Sequence, residues 1–181
     1  MGTALHAFLE HADFAALAAA KASGTLDEAI CAERDRQVAV QLTPPEIAEK
    51  LDVRRIRRFA ESDAFARICA ADAVLRELAF ITALPASAVL AAQGSAAPEG
   101  EAAKASVLVQ GIADIVLIFP DHLELLDYKT DRRKTEADFL AAYRAQLNLY
   151  TLAIDKRFAP KKVTYKGIYS LELGKLIEVK G

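Results

Sequence analysis

Between Gly111 and Arg133 the chain reads GIADIVLIFPDHLELLDYKTDRR, two apolar runs broken at Pro120-Asp121. The first run carries Asp114 and the second ends in Asp127-Tyr128-Lys129. An unpaired charge inside an apolar strand is unfavourable, so such groups are held there by partners or by an ion. Asp114 and Asp127 lie about equally far from the turn, so antiparallel pairing of the two runs sets them side by side. Strand alternation then puts Lys129 on the face of Asp127, with Tyr128 opposite. Two adjacent carboxylates repel unless a cation sits between them, and carboxylate, carbonyl and water oxygens are the ligands that Mg²⁺ or Mn²⁺ takes. A lysine beside such an ion can hold an attacking water or offset charge on a phosphate. A salt-bridge ladder on a surface strand would use the same residue types, and the triad by itself leaves both readings open.

The flanking segments must position these groups. From Ala4 to Ala20, Leu5, Phe8, Leu9, Ala12 and Ala16 share one helical stripe, with His6 at its edge. Thr25 to Glu28 has capping-box spacing and predicts a second helix to about Leu42. Thr43 to Glu46 predicts a third to about Asp52, which VRRIRRFAES continues or follows with a further turn, and Ser62 caps a short one ending near Ala71. At Asp72 the texture changes to a strand with Glu77 at its centre. Pro85 to Ala105 is rich in Ala, Gly, Ser and Pro and reads as a mobile loop. The hairpin follows, then a long helix from Thr135 to Phe158, a strand, a turn at Gly174-Lys175 and a last strand. Tyr143, Gln146 and Tyr150 fall on one face of the long helix. This order predicts an α/β domain over 1–181, a central mixed sheet flanked by helices, with a helical region 1–71 and a sheet-containing core 72–181.

A net charge of −2 provides no global basic field, so any nucleic-acid contact must be local. The candidates are Arg54-Arg55, Arg57-Arg58 and Arg132-Arg133-Lys134; the last follows the lysine strand at once and suits phosphates, and the others suit a surface. Two cysteines, Cys31 and Cys69, lack CxxC spacing, which argues for reduced thiols and excludes a four-cysteine zinc or iron–sulfur site. No apolar run reaches about 18 residues, and no signal-peptide pattern opens the chain. Met1 stands directly on a helix start, which suggests a piece of a longer protein. No G-x-x-x-x-G-K-[ST] loop occurs, so no ATP site is expected.

GIAD and LLDYKTD, with RELAF and GTALH upstream and YRAQLNLY downstream, stand in an order that resembles the RecB/AddA branch of the PD-(D/E)xK nucleases. Within that branch the chain is most similar to the C-terminal nuclease module of AddA-type helicase–nucleases. The resemblance implies a restriction-endonuclease-like core and a Mg²⁺-dependent deoxyribonuclease, an exonuclease of DNA double-strand break repair and recombination, with Mn²⁺ as substitute ion. It implies Asp114, Asp127 and His6 as metal ligands with the Tyr128 backbone carbonyl, and Lys129 as the group acting on water. Glu77, Gln146, Tyr150, Thr130, Arg132 and Arg133 would support the site or touch DNA. The implied partners are DNA, helicase domains of the same polypeptide and an AddB-type subunit, in the bacterial cytoplasm and away from membranes. The iron–sulfur members of the branch are not matched, because their cysteines are missing. Two alternatives remain, an inactive nuclease-fold module that binds DNA or acts as a scaffold, and a free-standing phage-type exonuclease.

Overall fold

The apolar stripe from Ala4 to Ala20 forms two helices, not one. In the computed structural model, which describes residues 2–96, 98 and 100–180, α1 spans Gly2–His11 and α2 spans Phe14–Ser23. Asp13 leaves the helical region at ψ 93° and its carboxylate accepts from the Ala16 N–H at 2.9 Å, a capping bond that restarts the helix. Gly24, at φ 78°, closes α2 in the left-handed conformation that suits glycine. The expected capping box at Thr25 does not form, because the Thr25 hydroxyl bonds the Ser23 hydroxyl at 2.9 Å instead. The next helix, α3, is Leu26–Ala39, shorter than expected. The third expected helix is a single turn, α4 (Pro45–Ala48), and VRRIRRFAES forms a separate helix, α5 (Val53–Ala60), which Asp52 caps. Ser62 caps α6 (Asp63–Ala70) through the Phe65 N–H.

Residue contacts divide the chain into two units. The first contains the residues up to Ala71 together with Tyr128–Arg132 and Tyr169–Leu176. Its core is aromatic around Phe14, Phe59, Phe65 and Tyr169, with Phe59 and Tyr169 fully buried. A polar knot joins α1 to α3. Glu33, buried on α3, accepts from Arg36 at 2.6 and 2.7 Å and from Gln37 at 2.9 Å, and Gln37 also donates to the Phe8 carbonyl. Burial would raise the Glu33 carboxyl, but the hydrogen bonds of Arg36 and Gln37 and the Arg36 charge hold it below its ordinary value. A carboxylate depressed by folding binds fewer protons than in the unfolded chain. Its contribution is whole above the ordinary pKa and is lost as pH falls through the folded value. Thermal melts from neutral pH downward should therefore show a shallower acid-side loss in Glu33→Gln than in wild type. Parallel curves below the ordinary value of 4.5 would contradict this.

The second unit contains Asp72–Asp127, Arg133–Ile168 and the residues from Ile177 onward. Its elements are β1 (Ala73–Pro85), α7 (Ala86–Ala92), a 3₁₀ turn at Gly100–Lys104, β2 (Ser106–Ile118), β3 (Leu123–Lys129), α8 (Glu136–Arg157), β4 (Val163–Ser170) and β5 (Lys175–Glu178). The last residues of β3 and β4 and the first two of β5, Lys175 and Leu176, count with the first unit. The sheet order is β1-β2-β3-β4-β5, with β1/β2 and β2/β3 antiparallel. Bonds from Leu123 N to the Lys162 carbonyl and from Leu171 N to the Lys129 carbonyl join start to start and end to end, so β3 and β4 are parallel. The sheet is mixed and the fold is α/β, as the element order predicts. A parallel pair needs a crossover, and α8 supplies it. Phe139, Leu147 and Ile154 of α8 pack with Val116, Leu123, Leu125 and Ile168 in one core, and β3 is buried without a break from Leu123 to Tyr128.

Pro85–Ala105, expected as a loop, is helical in part. Alanine has the highest helix propensity, Val89 is buried, and Asn148 donates to the Ala92 carbonyl at the end of α7. Residues 97 and 99 of that stretch lie outside the described residues. The edge strand β1 is protected by the last turn of α8, where Lys156 donates to the Ala83 carbonyl and Arg157 to that of Ala79, a charged cover that blunts strand-to-strand pairing.

Gly111 allows a close approach. A Cβ there would stand 2.8 Å from both Phe80 Cζ and Tyr150 Cε1, inside van der Waals contact. Gly111→Ala is expected to destabilise by about 1–3 kcal/mol through overpacking. Urea melts check it; an unchanged midpoint would mean that Tyr150 moves freely.

Candidate active site

The strand register aligns three acidic residues. Arg76 faces Ile115 and Leu78 faces Ala113, so Glu77 and Asp114 stand opposite each other. Ile115 faces Leu126 in the last bonded pair of β2 and β3, and Asp114 and Asp127 are the next residue on each strand. Glu77, Asp114 and Asp127 thus form one row across three neighbouring strands of the second unit. Asp127 is 2% exposed, and the other two are half-buried. The β1/β2 register passes over the pair at Glu77, whose φ is 45°. A left-handed backbone costs a residue with a side chain about 1–2 kcal/mol, and strain of this kind concentrates at functional sites. Among the described residues no three His, Cys, Asp or Glu side chains are gathered closely enough to hold a metal ion by themselves. The row is an alignment and not a closed cage.

In the first unit, two further donors meet across a sequence separation of 122 residues. His6, on α1, places Nε2 3.3 Å from the Tyr128 carbonyl oxygen, where a hydrogen bond requires the Nε2–H tautomer, since the carbonyl can only accept. Leu5, Phe8 and Leu9 bury the other side of α1 and so aim His6. Two ligands at right angles on an ion with ~2.1 Å bonds stand ~3.0 Å apart, close to that separation. Carboxylates such as those of the second unit suit a hard divalent ion such as Mg²⁺ or Mn²⁺, and a carbonyl oxygen and an imidazole, as in the first unit, are ligands that such an ion can also take. Lys129 is half-buried at the end of β3, and its carbonyl accepts from Leu171 at 2.9 Å.

The long-helix residues pack as a unit. Gln146 donates to the Tyr150 hydroxyl at 3.1 Å, one turn away, while the Tyr150 ring meets Phe80 edge-on at 4.9 Å and covers Gly111. Tyr143 turns to Lys134, whose ammonium donates to its hydroxyl at 3.3 Å. Thr130 is half-buried, and Arg132 and Arg133 are exposed, Arg133 at φ 60°. The upstream arginines are largely consumed in ion pairs, Arg55 with Glu172 and Asp52 and Arg57 with Asp27 and Glu61. His122 bonds Asp121 at 2.6 Å and stacks on Phe119, a local contact at the hairpin turn. Strand alternation says of the Tyr128 side chain only that it faces away from the aspartates; phenylalanines at 14, 59 and 65 are the one sign in the sequence that an aromatic cluster receives it.

The model of the family described as the PD-(D/E)XK nuclease superfamily matches residues 1–178. Several similar proteins are named as ATP-dependent helicase/nuclease subunits. That of Heliobacterium modesticaldum is 34% identical, over 96% of this chain and 12% of its own length. That of Moorella thermoacetica is 35% identical, over 87% and 10%. That of Geobacillus kaustophilus is 33% identical, over 98% and 14%. The chain therefore spans only a small part of the length of the curated relatives it matches.

Proposed function

The chain belongs to the PD-(D/E)XK nuclease superfamily, and from that premise we propose that it is a metal-dependent deoxyribonuclease, the nuclease module of a helicase–nuclease polypeptide. Asp114, Asp127, the Tyr128 carbonyl and His6 Nε2, with the ring proton moved to Nδ1, would hold Mg²⁺, or Mn²⁺ in its place, which supplies Lewis-acid polarisation of a phosphate oxygen and a more acidic water. Lys129 donates to the attacking water and orients it toward phosphorus. Its fixed charge also offsets the negative charge that builds on the phosphate oxygens. Glu77 shares the row of Asp114 and supports it. Thr130, Arg132 and Arg133 follow the lysine strand directly and contact the DNA backbone, which positions the strand without reading its sequence. Gln146 and Tyr150 support the site through their hydrogen-bonded pair. The observation that carries the reading is the row of Glu77, Asp114 and Asp127 across three neighbouring strands of the second unit, with Lys129 two residues along the chain from Asp127.

A cytoplasmic location, exonucleolytic action, a place in double-strand break repair and recombination, and a partner of AddB type belong to the same proposal. Among the described residues no helix is long and apolar enough to cross a membrane. A linear and a closed circular plasmid, each incubated with Mg²⁺, Mn²⁺ or EDTA, test the reading. Degradation of the linear form with either metal is expected, and no cleavage of any DNA would sink it. The absence of a closed three-ligand cluster among the described residues favours, as second reading, an inactive nuclease-fold module that binds DNA. Retardation of DNA without cleavage would establish that one.

His6→Ala is expected to raise the Mg²⁺ concentration for half-maximal cleavage by about tenfold or more, since even outer partners of a metal ligand are worth about that much. A metal titration of both proteins decides, and coincident curves would return His6 to an ordinary boundary residue.

A further inference from the structure

We propose that the Tyr128 ring and Phe59 are positioning residues, which set the separation of His6 Nε2 and the Tyr128 carbonyl before any ion arrives. The inference rests on the metal reading above, which asks only for the backbone of residue 128. Any side chain could accompany a carbonyl ligand. The residue present is a tyrosine, 3% exposed, whose ring does not share the face of Asp127 and Lys129.

Three constraints converge on this residue within the first unit. Its ring meets Phe59 edge-to-face, with centroids 5.4 Å apart at 84°. The His6 ring meets it at 6.1 Å and 76°, so the imidazole is guided by the ring as well as by the carbonyl. The next residue is tied down by the bond from Leu171 N to the Lys129 carbonyl. Phe59, at 0% exposure, cannot yield, because Phe65 at 5.6 Å, Tyr169 at 5.1 Å and Phe14 at 6.2 Å hold it in turn. Edge-to-face pairs have a preferred geometry, unlike aliphatic contacts. An aromatic chain from α5 to β3 therefore fixes orientation as well as volume. Sites held by locked supporting side chains keep their donors in place, and a loosened support weakens the ion before it unfolds the protein.

The test uses Mn²⁺ as probe with four variants. In metal-free wild type above neutral pH, long-range ¹H–¹⁵N spectra should show His6 as the Nε2–H tautomer. An Nδ1–H ring would overturn the inference without any reference to metal. By calorimetry, Tyr128→Leu and Phe59→Leu should bind Mn²⁺ about tenfold more weakly, while Tyr128→Phe, which keeps the ring, stays within about twofold of wild type. Ile30→Ala, at a fully buried position on α3 outside the aromatic chain, should lower the melting temperature yet also stay within about twofold, separating positioning from general stability. Should Tyr128→Leu fail to fold, Phe59→Leu and the wild-type tautomer still decide. Equal Mn²⁺ affinity in folded Phe59→Leu and wild type would overturn the positioning role alone. No Mn²⁺ binding by wild type would overturn the metal reading and this inference with it.

Discussion

Lys129→Ala is expected to lower DNA cleavage by about 10²–10⁴-fold, the range for losing a group that moves or holds a reacting proton, while Mn²⁺ still binds. The expectation follows from the difference between a ligand and a charge beside a ligand. An ammonium offers no lone pair to a cation, so its removal takes nothing from the coordination shell. What it removes is a donor aimed at water and at the oxygens where charge develops, interactions that strengthen in the transition state. Loss should therefore appear in kcat more than in KM. Lys129 closes β3, half-buried, with its backbone anchored by Leu171, so truncation of the side chain should leave the strand in place. Calorimetry with Mn²⁺ beside a cleavage assay reads both quantities. Undiminished cleavage would remove Lys129 from the mechanism, and lost Mn²⁺ binding with lost cleavage would show that it holds the site together.

Asp127→Asn separates a metal site from a salt-bridge ladder by the sign of its effect. Asp127 is 2% exposed and stands in a row with Asp114 and Glu77, so like charges are held close in the metal-free protein. Asparagine keeps the shape and removes one charge. In EDTA the variant should melt no lower than wild type, and higher by about 2–4 °C for each kcal/mol of repulsion relieved. Metal reverses the order. At a Mn²⁺ concentration of about 100 Kd, wild type should gain about 2.7 kcal/mol, because the ion binds only the folded state. The variant should gain much less and cleave no DNA. On a salt-bridge ladder, losing Asp127 costs a pairing and Mn²⁺ helps neither protein beyond screening. A wild-type melting temperature indifferent to Mn²⁺ at matched ionic strength would defeat the nuclease reading.

What the sequence determined by itself lies within a few residues along the chain or repeats with a fixed period. The helical period that resumes at Thr135 announces α8, which begins there behind a capping box of Thr135 and Asp138. Alternation and the turn at Pro120-Asp121 were enough to set Asp114 beside Asp127, because an antiparallel hairpin has one register once its turn is known. The order of the five motifs was enough for the family. Other features depended on competition that spacing does not express. Thr25 had the residues for a cap, yet its hydroxyl went to Ser23. Asp13 split an apolar stripe that looks continuous on a helical wheel. The Ala-rich stretch after Pro85 reads as a loop by composition, and only a surface for Val89 and a donor from Asn148 favoured the helix. The left-handed Glu77 is invisible in a sequence that reads there as plain strand. His6 is the clearest case. Periodicity places it at the edge of a stripe, but what lies across that edge is the carbonyl of Tyr128, set by an aromatic cluster drawn from separate helices and strands. Local bonds are written in neighbouring residues, whereas a contact over 122 positions exists only once the core has packed.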